Sequence, residues 1–200
     1  MVNIVSIEGE ECNIETLSRV AEITGGDVQR VKPEDLVSNF NNIMNIPLIA
    51  TNVQLKVKLH KGLEFRNENP NFLNPDKTIM AKDLGNVNEQ TEVTFEYKLK
   101  KMEELIAMED LDLTVIKRLP FQAQITYTSL IDRSRCVRVI TMALEISDDK
   151  EEVERDADYD LLGMNAIQQS AKLAKMGDYK QAQINAKAWD NRMKSRIASQ

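Results

Sequence analysis

Two adjacent glycines, Gly25 and Gly26, following Thr24, are the first residues of this sequence whose type and spacing suggest chemistry. Glycine-rich loops cradle phosphate when they run from a strand into a helix, because the helix N-terminus then offers free N–H groups to the anion. Here the order is reversed: a helical pattern precedes the glycines and a β-prone stretch follows. The pair fits neither G-x-x-x-x-G-K-[ST] nor G-x-G-x-x-G, so Gly25 or Gly26 is expected to take the left-handed conformation that ends a helix. Asp156, Asp158 and Asp160 alternate like the start of a calcium loop, but Leu161 stands at the glycine position and Ile167 at that of the bidentate Glu. No metal site is expected there; the carboxylates suit a linker or a helix N-terminus. His60 is the only histidine and falls on the polar side of its predicted strand, so any Ser-His-Asp or His-metal chemistry would rest on it alone. Cys136 reads as a small hydrophobe in an apolar central strand, and Cys12 has no identifiable base beside it. The expectation is therefore no enzyme, no cofactor and no metal.

The 200 residues, 42% hydrophobic and 29% charged, are enough for a real core and are neither disordered nor membranous in composition. A net charge of −6 argues against a nucleic-acid partner. No apolar run reaches the length of a membrane span, and no secretory signal opens the chain. Two cysteines are too few for a disulfide framework and suit a reduced, cytoplasmic location.

The elements around these residues change character twice. In 1–46, an apolar run from Val2 to Ile7 suits a buried parallel strand, and Ile14, Leu17, Val20, Ala21 and Ile23 recur at helical spacing behind an Asn13 cap. Val28 and Val31 mark a second strand, and Pro33 opens a second helix with acids in its first turn. In 47–147 the period becomes two: Val53, Leu55, Val57 and Leu59, then Val93 to Leu99, then Phe121 to Tyr127, alternate with polar residues. Residues 136–146 are apolar on both faces, as a central strand would be. Alternating strands without intervening helices indicate an antiparallel β-sandwich.

In 148–200 an acidic run, 148–160, leads into a helical hairpin. Met164, Ile167, Ala171 and Ala174 form one stripe; beyond Gly177, Ala182, Ala186, Trp189 and Met193 form the other. The second stripe should be buried against the sandwich or the α/β piece, or else dock on another molecule. With Tyr179, these are the expected interaction residues. Seven bases from Lys172 to Arg196 face only Asp178 and Asp190, a face that could meet acidic lipid or the chain's own acidic run.

The stretch 2–36, carried by Thr24, Gly25 and Gly26 after the helix bearing Leu17 and Ala21, resembles the closing part of a von Willebrand factor A domain. The sandwich and helices beyond it resemble the trunk of the inner COPII coat subunits. The A-domain adhesion motif D-x-S-x-S is absent, so the resemblance implies that metal-dependent binding belongs to residues outside this chain, and that the chain is the C-terminal portion of a longer protein. The expected fold class is α+β: a partial A-domain-like α/β piece, an antiparallel sandwich and a C-terminal αα-hairpin. The expected function is a non-enzymatic protein-interaction scaffold. Its partners would be other proteins, including the missing A-domain half. The alternative is a vesicle-coat-like component contacting acidic membrane surface.

Overall fold

The computed structural model describes residues 2–9, 13–24, 26, 28–45, 47–108, 111, 118–147 and 149–199. The chain is α+β: a two-stranded parallel sheet with helices, two antiparallel sheets, and a C-terminal helical pair.

The N-terminal elements fall where the sequence places them, but the first strand is not the buried one its apolar run suggests: Val2 and Ile7 are exposed and Ser6 is its buried residue. Strand β1 (Ile4–Ile7) runs parallel to β2 (Val28–Val31), with Ile4 opposite Val28, and α1 (Ile14–Ile23) connects them. Asn13 caps α1 by accepting the Thr16 N–H at 3.2 Å. Pro33 starts a short 3₁₀ turn that passes into α2 (Leu36–Asn45). At the end of α1 the Gly26 N–H reaches back to the Ala21 carbonyl at 2.8 Å, the six-residue closure of a Schellman ending. Gly25 lies outside the described residues. Gly26 has a requirement of its own: a Cβ there would sit 2.0 Å from the Val2 carbonyl oxygen. Thr24 completes this clasp. Its hydroxyl accepts the Val2 N–H at 2.9 Å and donates to the Val20 carbonyl at 3.0 Å. Thr24 and Gly26 thus tie the end of α1 to the chain entering β1.

The middle of the chain builds two antiparallel sheets around one core. The larger has the order β5 (Ile79–Asn88), β3 (Leu48–Leu59), β7 (Arg118–Ser129), β8 (Arg135–Glu145); the smaller pairs β4 (Leu63–Arg66) with β6 (Glu96–Leu99). Strand β3 places Val53, Leu55, Val57 and Leu59 inward and Gln54, Lys56 and Lys58 outward, as its alternation requires. Phe65, Phe95 and Phe121 lock the layers together, their rings meeting edge-on at 5.8 and 5.7 Å. The short helix α3 (Met102–Ile106) buries Leu105 in the same core, over the turn at Gly62.

Two expectations need correction. Strand β8 is an edge strand, not a central one, and much of its apolar surface is open: Val137 is 63% and Val139 53% exposed. Cys136 accordingly lies on that edge, beside the Ser134 hydroxyl at 3.3 Å. His60 leaves the polar strand face and enters the β3–β4 turn, where its Nδ1 accepts the Gly62 N–H at 3.1 Å. The strand β5 and the helix α3 had no expectation at all; β5 is irregular in register and α3 spans barely one turn.

The C-terminal region holds α4 (Lys150–Arg155), α5 (Tyr159–Lys175) and α6 (Tyr179–Ser199). The acidic run supplies the caps. Asp149 accepts the Glu151 and Glu152 N–H groups, and Asp158 that of Leu161. Gly177, at φ +84°, turns α5 into α6, with the Asp178 N–H closing on the Leu173 carbonyl at 3.0 Å. Among the described residues, no helix is long and apolar enough to cross a membrane.

Candidate interaction surface

The helical pair owes its position to polar side chains on α5. Residues 165, 168 and 172 recur at spacings that share one face of a helix. That face meets the loop before β6 and the chain leaving β4. Gln168 Oε1 accepts both the Thr94 N–H at 3.0 Å and the Thr94 hydroxyl at 2.9 Å, while its Nε2 donates to the Glu92 carbonyl at 3.1 Å. Asn165 Nδ2 donates to the same Thr94 hydroxyl at 3.0 Å. One turn further on, Lys172 donates to the Asn67 carbonyl and lies 3.6 Å from the Glu68 carboxylate. The Glu68 side chain is only 6% exposed, and its Oε1 has no hydrogen-bond partner. Such a buried carboxylate depends heavily on the neighbouring ammonium.

A second face of α5, at residues 163, 166 and 170, receives α6. Trp189 lies over Gly163, where an added Cβ would stand 3.4 Å from the indole Nε1. Asn185 Nδ2 donates to the Ser170 hydroxyl at 3.0 Å, and that hydroxyl donates to the Ala166 carbonyl at 2.8 Å. The helix seam is therefore small residues plus one hydrogen-bonded polar pair.

The expected interaction residues divide. Ala182 is buried in the structure, and Trp189 and Met193 are partly covered. Ala186 is exposed, contrary to the expected burial of that whole stripe, and Tyr179 at the start of α6 is 61% exposed. The α5 stripe needs correction too. Ile167 is 71% exposed and Ala171 is exposed, because the polar faces at 165–172 and the small-residue face take the packing positions. The hairpin does pack on the antiparallel layer, but through α5 and by hydrogen bonds. A helical period of apolar residues carries no signal for that. The polar residues themselves, Asn165, Gln168 and Lys172 on one face, were the readable clue.

The basic residues of the hairpin are partly engaged. Arg192 lies 3.6 Å from Glu154 of α4, Lys194 pairs with Asp190 at 2.6 Å, and Lys172 faces Glu68. The acidic run thus meets the basic helix at Glu154 and Arg192. Cys12 lies outside the described residues, and among the described residues no cluster of three or more His, Cys, Asp or Glu has a metal-binding arrangement.

Comparison with known proteins is sparse. No family model matches the sequence. The chain is 28% identical over 187 residues to circularly permutated Ras protein 1 of Dictyostelium discoideum; the alignment takes in 94% of this chain and 21% of that protein. Among solved structures, the ArnB paralog VWA2 from Sulfolobus acidocaldarius is similar at a TM-score of 0.44 and 13% identity, over 94% of this chain and 45% of that one. The chain spans about a fifth of the first and less than half of the second.

Proposed function

We propose that this chain is a non-catalytic protein-interaction module, equivalent to the C-terminal part of a cytoplasmic A-domain protein. The observation that carries this reading is the polar staple of Asn165, Gln168 and Lys172, which holds α5 on the antiparallel layer. Because α6 rides on α5, Tyr179 and the turn before it project from a fixed base. A rigidly placed aromatic with open surface is what protein partners anchor on.

The parallel β1–α1–β2 unit and its Thr24 clasp support the A-domain part of the reading. The residues with chemical potential have structural occupations, which supports the non-catalytic part. His60 holds a turn, Asp158 caps a helix and Gly26 closes one. The Dictyostelium relative carries Ras in its name, yet the P-loop signature that holds phosphates in Ras-type enzymes is absent from these 200 residues. That favours a role beside a nucleotide-binding region rather than as one. A protein partner is favoured over a membrane because Lys172, Arg192 and Lys194 are already in ion pairs.

A photo-crosslinking residue at position 179 should trap a discrete protein, which the same residue at position 76 does not. Met176, at the end of α5 and 62% exposed, borders the same surface, and Met176→Glu should abolish the crosslink without changing the melting temperature. Equal crosslinking at both positions, or turnover of a small substrate by the purified chain, would overturn the reading.

A further inference from the structure

The turn between β7 and β8 has an unusual composition for a hairpin connection. Residues 130–134 read Leu-Ile-Asp-Arg-Ser, with an aliphatic pair where glycine, asparagine or aspartate would normally stand. Ile131 is 99% exposed, and Leu130 beside it is exposed as well. Ile49 of β3 is a third exposed aliphatic at this end of the sheet, since its neighbour Ala50 pairs with Ser129, the last residue of β7. Single exposed aliphatics are ordinary; an aliphatic pair at a turn apex is a surface.

The apex is held in place. The Ser129 N–H donates to the Ser134 carbonyl at 3.0 Å, closing the turn, and the Ile131 N–H donates to Ser129 Oγ at 3.2 Å. Asp132 accepts the Ser134 N–H at 3.2 Å and the Ser134 hydroxyl at 2.9 Å, so its carboxylate is occupied inside the turn. Arg133 stands at φ +59°, a left-handed conformation that glycine or asparagine adopts with less strain. Strain retained under a long charged side chain points to a use for that side chain.

The charge behind the apex is positive. Arg133 and Arg138 make no ion pair among the described residues. Arg135 donates to the Asn52 carbonyl at 3.3 Å and to Gln54 Oε1 at 3.2 Å, neutral acceptors that fix its side chain and leave its charge uncompensated. Between residues 130 and 138, three guanidinium groups thus stand against the single carboxylate of Asp132. Screening at physiological ionic strength acts over about 8 Å, so a surface meeting this tip feels these groups more than the chain's net −6. Aliphatic side chains in front and guanidinium groups behind match a bilayer, with hydrocarbon beyond a layer of anionic headgroups. A protein partner would need a pocket shaped for each aliphatic, whereas a fluid lipid surface needs no such match.

We propose that the β7–β8 turn is a membrane-contact tip: Leu130 and Ile131 enter the interface of a bilayer containing anionic lipid, while Arg133 and Arg135 meet its headgroups. This surface is not the helical pair, whose bases are engaged in ion pairs, and the inference stands apart from the protein partner proposed at Tyr179.

The test is flotation of the purified chain with vesicles of phosphatidylcholine alone, or of phosphatidylcholine and phosphatidylserine in equal parts. The chain should float with the mixed vesicles, less so at high salt, and stay behind with phosphatidylcholine alone. Ile131→Ser should weaken binding roughly tenfold, through loss of one aliphatic side chain from the interface. Ile131→Trp should bind at least as well as wild type, and its emission should move to shorter wavelength on adding mixed vesicles, beyond any shift of Trp189 in the wild-type chain. Ile167→Ser, which removes an exposed aliphatic from α5, should leave binding unchanged. Each variant changes an exposed side chain, so the circular dichroism spectrum should stay that of wild type. A wild-type chain that ignores both kinds of vesicle would overturn the proposal, including one that crosslinks to a protein through position 131 instead. So would binding indifferent to Ile131→Ser, binding weakened equally by Ile167→Ser, or a tryptophan at the tip whose emission does not move.

Discussion

Replacing Gln168 with alanine isolates the attachment of the helical pair to the rest of the fold. The substitution removes three hydrogen bonds: two from Thr94 to Oε1, partly buried, and one from Nε2 to the Glu92 carbonyl, at the surface. A net contribution near 1 kcal/mol suits each partly buried bond, and the exposed one is replaced by water at almost no cost. Gln168→Ala should therefore cost about 2 kcal/mol of docking energy, roughly a thirtyfold rise in the undocked population. Native-state hydrogen exchange reads this directly. Amides of α5 and α6 should lose protection by that factor while those of β3 and β7 keep theirs. Gln168→Glu retains the acceptor for Thr94 and sets a carboxylate against the Glu92 carbonyl, so it should fall between wild type and alanine. Thr94→Val in a double-mutant cycle with Gln168→Ala should show coupling above 0.5 kcal/mol, the mark of groups in contact. Unchanged protection in α5, or an equal loss in the sheet, would show that the staple does not govern docking.

Four further outcomes follow from single contacts. Gly163→Ala should raise stability by up to about 1 kcal/mol in thermal melts, because alanine favours the helix and its Cβ would meet the Trp189 ring at an ordinary 3.4 Å. Trp189→Ala should lower it by about 2 kcal/mol, below the full cost of a buried Trp because the ring is only partly covered. Gly26→Ala should unfold the β1–α1–β2 unit first, seen as early loss of Val2 N–H protection, since the new Cβ would meet the Val2 backbone at 2.0 Å. Asp132 has its pKa lowered, chiefly by the Ser134 N–H and then by the Ser129 and Ser134 hydroxyls. Its contribution to the β7–β8 turn is thus present above the ordinary carboxylate pKa and fades as pH falls below it. Exchange at Ser134, followed downward from pH 5, should accelerate in wild type and stay flat in Asp132→Asn, which keeps an acceptor but does not titrate.

Local rules carried most of the N-terminal unit. A side-chain cap at Asn13, a helix closed by Gly26 behind Thr24 and a proline at the next helix start are instructions over a few residues, and the chain obeys them. Strand β3 was equally legible because its two faces see different solvents, so its period of two is clean. Strand β5 was not, because its irregular register and Gly85 break the alternation that would have revealed it. The hairpin was legible as two helices and a turn but not in its orientation. Apolar spacing predicted that Ile167 faces inward, whereas the docking face consists of Asn165, Gln168 and Lys172. Their partners lie 71 to 105 residues earlier in the chain, from Thr94 for Asn165 to Asn67 for Lys172. Polar specificity at that range has no sequence period.

The misplacement of β8 has a different cause. A strand apolar on both faces is the pattern of one buried between layers with a neighbour on each side. The pattern was read correctly as far as it goes: Val137, Val139, Ile140 and Met142 occupy alternate faces. What it could not specify is where those neighbours come from. Within the chain, β8 has β7 on one side, and β4 and β6 make a second layer of only two strands, which covers the β3 side of the sheet. The other side is the sheet's edge, and its charged ends are engaged within the chain: Arg135 donates to the Asn52 carbonyl and to Gln54 Oε1, and Glu145 pairs with Arg118. A charged side chain at mid-strand, Arg138, is one of the devices that suit an edge, as Lys82 and Asp83 are in β5. The apolar alternation of β8 thus identifies a strand, while its place at the edge is marked by the charge at its middle, which a period of two does not register.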